Sequence, residues 1–299
     1  MNVHVYAGKG ENVPVARTNG VELAYETLGD PAAPALLLVM GLGAHLTDWP
    51  LEFTEQLAAY GFHVIRFDNR DAGLSTALDD SGVPDIPALM GGDRSSAPYL
   101  IADLAADAAG LLDTLGVQRA HVVGASLGGM IAQQLTIDYP DRVASLCSIM
   151  STTGDLSVGR PRPEAAAVIG RPPSASREEV IAGSVAGSRV IGSPGFPATE
   201  EYLTARAAAK YDRAYRPLGT LRQYAAVLAS PDRTQALRRV TAPALVIHGE
   251  DDPLIDVSGG RATAAAIPGS TLLTIPGMGH DLPRELWPRI TAAIARNAA

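Results

Sequence analysis

Ser126 is the residue best placed to do covalent chemistry. It stands in Gly124-Ala125-Ser126-Leu127-Gly128, a G-x-S-x-G pattern, after the short apolar strand His121 to Val123 and before an amphipathic run from Leu127 to about Asp138. Such a strand-to-helix reversal holds its central residue in strained backbone and lifts the side chain clear of the sheet. Gly124 and Gly128 lack the Cβ atoms that would clash there. The pentapeptide alone is also what a helix-capping turn produces, so the rest of the chain must supply what a serine nucleophile needs. Those needs are an imidazole to take its proton, a carboxylate to orient that imidazole, and two N–H groups aimed where negative charge develops.

His280 is the candidate base, in the glycine-bracketed loop Pro276-Gly277-Met278-Gly279-His280 after the last apolar strand. The other histidines compete poorly. His63 and His121 begin strands at the opposite end of the sheet, His4 is in the N-terminal tail, and His248 sits inside an apolar strand. His45 lies close to Gly41-Leu42-Gly43 and reads either as a substrate contact or as a solvated loop histidine. For the acid, Glu250, Asp251 and Asp252 follow one strand; Asp252, before Pro253, is favoured, with Asp251 next. The N–H of Leu127, directly after the serine, is one candidate oxyanion donor. That of Leu42, between Gly41 and Gly43 at the end of the first buried strand, is the other.

These residues need a scaffold, and the apolar patterning describes one. Ala35 to Met40, His63 to Phe67, Val143 to Met150, Ala244 to His248 and Ser270 to Ile275 are short continuous apolar runs, as parallel strands covered on both faces require. Residues 21–29 alternate as a half-exposed edge strand does. Helical spacing marks about Leu51 to Tyr60, Tyr99 to Leu115 and about Arg284 to Ala295, while residues 76–98 read as loop. Strands alternating with helices predict an α/β fold with a mostly parallel central sheet, and ligands then bind beyond the C-terminal strand ends. Residues 151–231 break the pattern. They hold no convincing buried strand, but helical stretches near Glu178–Val190, Thr199–Tyr211 and Leu218–Leu228. The expected division is a core of 1–150 and 232–299 with a helical cap, or lid, at 151–231. Tyr202, Tyr211, Tyr215 and Tyr224 amid small residues suggest that the cap lines a mostly apolar pocket for a medium-sized substrate.

Composition narrows the function classes. With 299 residues, 46% hydrophobic and 19% charged, the chain is globular, and a net charge of −8 gives no support for nucleic acid or an anionic membrane as partner. The only lysines are Lys9 and Lys210. Cys147, the sole cysteine, lies in an apolar run and reads as a core thiol that rules out an internal disulfide. Met1 to Gly20 has no signal-peptide core, and the longest apolar run, Ala33 to Ala44, is shorter than the roughly 20 residues a membrane helix takes. A cytoplasmic location follows as the default expectation. Metal-site motifs are missing, and the G-x-G at Gly41–Gly43 without a third glycine is a poor dinucleotide fingerprint. No cofactor or metal is expected, and nothing fixes an oligomeric state.

From Val21 to its end the chain resembles the α/β-hydrolase superfamily, and within it is similar to the aclacinomycin methylesterase group of polyketide-processing esterases. The carrying residues are Leu36-Leu37-Leu38-Val39-Met40-Gly41, His63-Val64-Ile65-Arg66-Phe67-Asp68, Arg70-Asp71, Ala120-His121-Val122-Val123-Gly124 and Ile275-Pro276-Gly277-Met278-Gly279-His280. The resemblance implies Ser126 as nucleophile, Asp252 as acid, His280 as base, and Leu42 and Leu127 as oxyanion donors. Two departures stand out: Met40 where many relatives carry the histidine of an H-G loop, and Asp71 where many have glycine in Asp-x-Arg-Gly. A serine nucleophile argues against the dehalogenases and epoxide hydrolases of this fold. The expected activity is hydrolysis of a carboxylic ester, possibly of polyketide methyl-ester type. Lactonase, cofactor-free perhydrolase and C–C hydrolase are alternatives, and a non-catalytic small-molecule receptor is the alternative from another class.

Overall fold

A computed structural model describes residues 13–169, 174 and 176–299. His4, Lys9 and most of the N-terminal stretch read above lie outside them, as does part of the 151–231 segment expected to form the cap.

The chain opens with β1 (Val15–Thr18) and β2 (Val21–Leu28), an antiparallel hairpin whose register pairs Thr18 with Val21. Its tip is Asn19-Gly20 with φ of 46° and 77°. Two consecutive positive φ values match the twist of a tight hairpin, which Asn-Gly tolerates best. Then follow β3 (Ala35–Val39), α1 (Leu51–Ala59), β4 (His63–Phe67), α2 (Ile86–Met90), α3 (Ile101–Thr114), β5 (Ala120–Ala125), α4 (Leu127–Asp138) and β6 (Val143–Ile149). Next come α5 (Pro163–Ile169), α6 (Arg177–Ile191), α7 (Glu200–Arg213), α8 (Pro217–Ala229) and α9 (Thr234–Leu237). The chain closes with β7 (Ala244–Gly249), α10 (Val257–Ala266), β8 (Thr271–Ile275) and α11 (Trp287–Ala298).

The eight strands form one sheet in the order β1-β2-β4-β3-β5-β6-β7-β8, parallel from β4 to β8. Alternate residues of each strand face opposite sides. Leu37 and Val39 of β3 therefore join the core under α3 and α4, while Leu36 and Leu38 join the core under α1 and α11. Both clusters are apolar and nearly solvent-free, which is why β3 reads as unbroken hydrophobic sequence. Cys147 is buried in the second cluster, and burial pushes its thiol well up, as suits a packing residue. Among the described residues, no helix is long and apolar enough to cross a membrane.

The loop read at 76–98 contains α2, started by Asp85, whose side chain accepts from the Ala88 N–H. Helices α5, α9 and α10 also lack a strong sequence signature. They are short or Gly/Ala-rich, so their apolar periodicity is weak.

Between β6 and β7 the chain is helical, and α8 is tied to the sheet loops. Arg222 is fully buried; its guanidinium donates to both oxygens of Asp71 at 2.9 and 2.7 Å and to Asp79 at 2.9 Å. Asp71 sits at φ 67°, a conformation that favours glycine. What the aspartate adds is a carboxylate that also accepts from Tyr99 Oη and Leu78 N, both at 2.8 Å. Gly219 passes so close to Asp71 that a Cβ would meet its carbonyl.

Candidate active site

The loops after β3, β5, β7 and β8 converge at the C-terminal strand ends. Ser126, between β5 and α4, has φ 56° and ψ −120°. Its N–H donates to Ile149 O at 2.9 Å, and its carbonyl accepts from Gly129 N at 2.9 Å and Ser151 Oγ at 2.8 Å. These bonds hold a conformation that costs on the order of 1–3 kcal/mol. The flanking glycines are obligatory for close approach: a Cβ on Gly124 would strike Gly128 O, and one on Gly128 would strike Val39 O.

His280 and Asp252 meet the serine. Nε2 of His280 lies 3.0 Å from Ser126 Oγ, and its Nδ1 lies 2.7 Å from Asp252 Oδ2. Because a carboxylate only accepts, Nδ1 carries the proton and Nε2 is bare toward the serine hydroxyl. Asp252 Oδ1 accepts from Leu254 N at 2.8 Å and Ile255 N at 2.9 Å. Burial opposes its ionisation, yet His280, His248 and these N–H groups outweigh that and hold its carboxyl well below the usual range. The neighbouring acids turn elsewhere. Asp251 accepts from Gly277 N at 2.8 Å, and Glu250 accepts from Thr274 Oγ1 at 2.7 Å.

The loop after β3 lies against the serine, where a Cβ on Gly41 would come within 3.1 Å of Ser126 Cβ. Among the described residues, no acceptor takes the N–H of Leu42 or Leu127. Two residues that the sequence did not single out support this loop. Asn69 Nδ2 donates to Met40 O at 3.0 Å, and Gln223 Oε1 accepts from Gly43 N at 2.8 Å. Gly43 has φ 59° and packs on Thr220 of α8, 2.5 Å from where its Cβ would be. His248 is a third such residue: its Nε2 donates to Ile255 O at 2.7 Å beside the Asp252 carboxylate.

The remaining expectations fare unevenly. His45 is not a solvated loop residue; it is buried, with Nδ1 unpartnered among the described residues. Burial, and then Lys210 beside it, lowers its pKa to about 4. The neutral ring is therefore favoured in the fold, and stability should fall as pH drops from about 6.5, where an unfolded histidine protonates, to about 4. The loss over that window is about 3 kcal/mol. Burial also lowers His63 and His121, so the His45 contribution is read as the difference between wild type and His45→Gln in urea unfolding at pH 7 and pH 4.5: the variant should lose less stability over that interval, and an equal loss would refute the assignment. Of the tyrosines expected to line a pocket, Tyr202 and Tyr215 are exposed, and Tyr211 packs on Tyr215 at 5.1 Å between ring centres with Arg177 above it. Tyr211 and Tyr224, on α7 and α8, are half-buried. Among the described residues there is no cluster of His, Cys, Asp and Glu that could hold a metal ion.

Residues 34–283 match the family described as the alpha/beta hydrolase fold. The chain belongs to this family. It is 33% identical to the rhodomycin D methylesterase of Streptomyces peucetius over 92% of this chain and 94% of that one. A second rhodomycin D methylesterase, from Streptomyces sp. strain C5, is 32% identical with the same coverage. Among solved structures, the meta-cleavage product hydrolase of Pseudomonas fluorescens superposes with a TM-score of 0.74 at 18% identity, over 95% of this chain and 96% of that one. That likeness shows the shared fold of this α/β hydrolase.

Proposed function

We propose that this α/β hydrolase cleaves a carboxylic ester through an acyl-enzyme on Ser126. The observation that carries the reading is the hydrogen-bonded series from Ser126 Oγ through His280 to Asp252, at 3.0 and 2.7 Å. His280 Nε2 takes the serine proton as Oγ attacks the ester carbonyl. Asp252 stabilises the imidazolium, and the N–H groups of Leu42 and Leu127 receive the oxyanion. The imidazolium then protonates the departing alcohol oxygen as the C–O bond breaks. Water, deprotonated by His280, attacks the acyl-enzyme, and the proton returns to Ser126 as the acid leaves. Gly41, Gly43, Gly124 and Gly128 shape the two loops around these atoms, and residues 151–231 act as the cap. Similarity to the two Streptomyces methylesterases favours a methyl ester of a polyketide-type acid, a mostly apolar small molecule. Hydrolysis of this kind requires no cofactor.

The test is rapid mixing with p-nitrophenyl acetate and butyrate. A nitrophenol burst stoichiometric with enzyme, or steady turnover, that vanishes in Ser126→Ala is the expected result. Micromolar ligand binding with no release from any ester would point instead to a receptor.

A further inference from the structure

The loop that carries His280 is held from two sides. Its first half belongs to the core: Gly277 N donates to Asp251 Oδ2 at 2.8 Å, Asp251 N donates to Met278 O at 3.1 Å, and the Met278 side chain is fully buried. Its second half belongs to the helical insertion. The His280 N–H donates to Ile191 O, the last residue of α6, at 2.7 Å, and the Gly279 N–H donates to Ser193 Oγ at 2.8 Å. Ser193 is almost fully buried, and its hydroxyl in turn donates to Asp281 Oδ1.

The strap 192–196 that leaves α6 lies directly on this loop. Gly195 N donates to Gly277 O at 2.9 Å. A Cβ on Gly279 would strike Gly192 O, and one on Gly195 would come within 2.7 Å of Gly277 Cα. Glycine meets glycine, so the two backbones touch with nothing between them. Helix ends leave carbonyls without internal partners; at the end of α6 one of those carbonyls is taken up by the backbone of His280.

We propose that Ser193 is a positioning residue for His280: with the Ile191 carbonyl it fixes the Gly279–Asp281 backbone in the register that brings Nε2 to Ser126, so the base is set from the cap as well as from the sheet. This rests on the reading of His280 as the base. A hydroxyl has one proton and two lone pairs, and Ser193 uses the proton on Asp281 and a lone pair on Gly279, which ties residues on both sides of His280 to one buried oxygen. Lifting the α6 end of the cap would break the two bonds that hold the His280 backbone from this side.

The experiment compares Ser193→Ala, Ser193→Thr and His280→Ala with the wild type on a p-nitrophenyl ester. Melting temperature and the far-downfield proton resonance of the His280 Nδ1–H are followed in parallel. Ser193→Ala should lower kcat on the order of 10–100-fold, as small misplacements of catalytic groups do, with KM changed less than about twofold. The Nδ1–H resonance should broaden or vanish, and Ser193→Thr, which keeps the hydroxyl, should recover most of kcat. If His280→Ala is inactive while Ser193→Ala keeps wild-type kcat and a sharp resonance, the positioning role is wrong and the base stands. A Ser193→Ala whose only change is a lower melting temperature overturns it equally. If His280→Ala retains kcat, the base assignment fails and this inference with it.

Discussion

Ser126→Ala should lower kcat by about 10⁴–10⁶-fold while leaving the fold intact, because the serine supplies the atom that attacks. Alanine inherits the strained φ of 56°, so little of the local backbone changes. The bonds to Ile149 O, Gly129 N and Ser151 Oγ are made by the backbone of residue 126 and do not need the hydroxyl. Substrate affinity should therefore persist, and the melting temperature should stay within a few degrees. A phosphonate should label the wild type at Ser126, located by mass spectrometry, and leave the variant unlabelled. Residual turnover from oxyanion donors and binding alone is expected at about 10³–10⁴ over water. An adduct at another serine, or variant activity within tenfold of wild type, would remove Ser126 from the mechanism.

What the sequence made visible and what it hid follow one physical line. The buried parallel strands, the Ser126 turn and α4 are local features whose apolar period and glycines lie within a dozen residues. Asp252 and Asp251 differ by one position in an irregular loop, and only the turn that aims Oδ2 at His280 and Asp251 at Gly277 separates them. The hairpin of β1 and β2 carries a local signal of its own, Asn19-Gly20 between two short β-prone runs. The supports of the site are a different case. Gln223 reaches Gly43 across 180 residues, Ser193 reaches Gly279 across 86, and Arg222 reaches Asp71 across 151. No periodicity encodes such pairings, and all three come from the segment that reads only as an irregular helical insertion.

Those same contacts divide the site between its two halves. The sheet fixes Ser126 through β5 and α4, and Asp252 through the loop after β7. The helical insertion holds the loop after β3 through Gln223 and the loop that carries His280 through Ser193. Arg206 and Lys210 of α7 add to the first of these, pairing with buried Asp48 at 2.8 and 3.2 Å in the turn that follows Gly43. Burial works against the Asp48 charge, but the two cations outweigh it and hold the carboxyl well below its ordinary range. On the function proposed above, exchange of the insertion between relatives should disturb the loops after β3 and β8 through the loss of the Gln223 and Ser193 contacts.

Asp252→Asn should cost about 10⁴-fold in kcat, and adding His280→Ala to it should cost little beyond His280→Ala alone. The carboxylate accepts at every contact: Leu254 N and Ile255 N on Oδ1, His280 Nδ1–H on Oδ2. An asparagine keeps its carbonyl on the two backbone donors, so its NH₂ must face Nδ1. Nδ1 then has to be the bare nitrogen, and Nε2 carries the proton and can no longer accept one from Ser126. Once the histidine is removed, the identity of residue 252 has nothing left to act through, which is why the losses should not multiply. The variant has a stability signature as well. In the fold the Asp252 carboxyl is held below its usual range, so its charge contributes stability at any pH above the unfolded carboxylate pKa of about 4. That contribution is lost as pH falls through the lower, folded value. Asp252→Asn should therefore unfold at lower urea than the wild type at pH 7, with the gap narrowing as the pH is taken below about 4. Kinetics of the two single variants and the double, in one buffer and on one ester, decide the matter. Multiplicative losses, or a larger effect from Asp251→Asn than from Asp252→Asn, would assign the acid elsewhere.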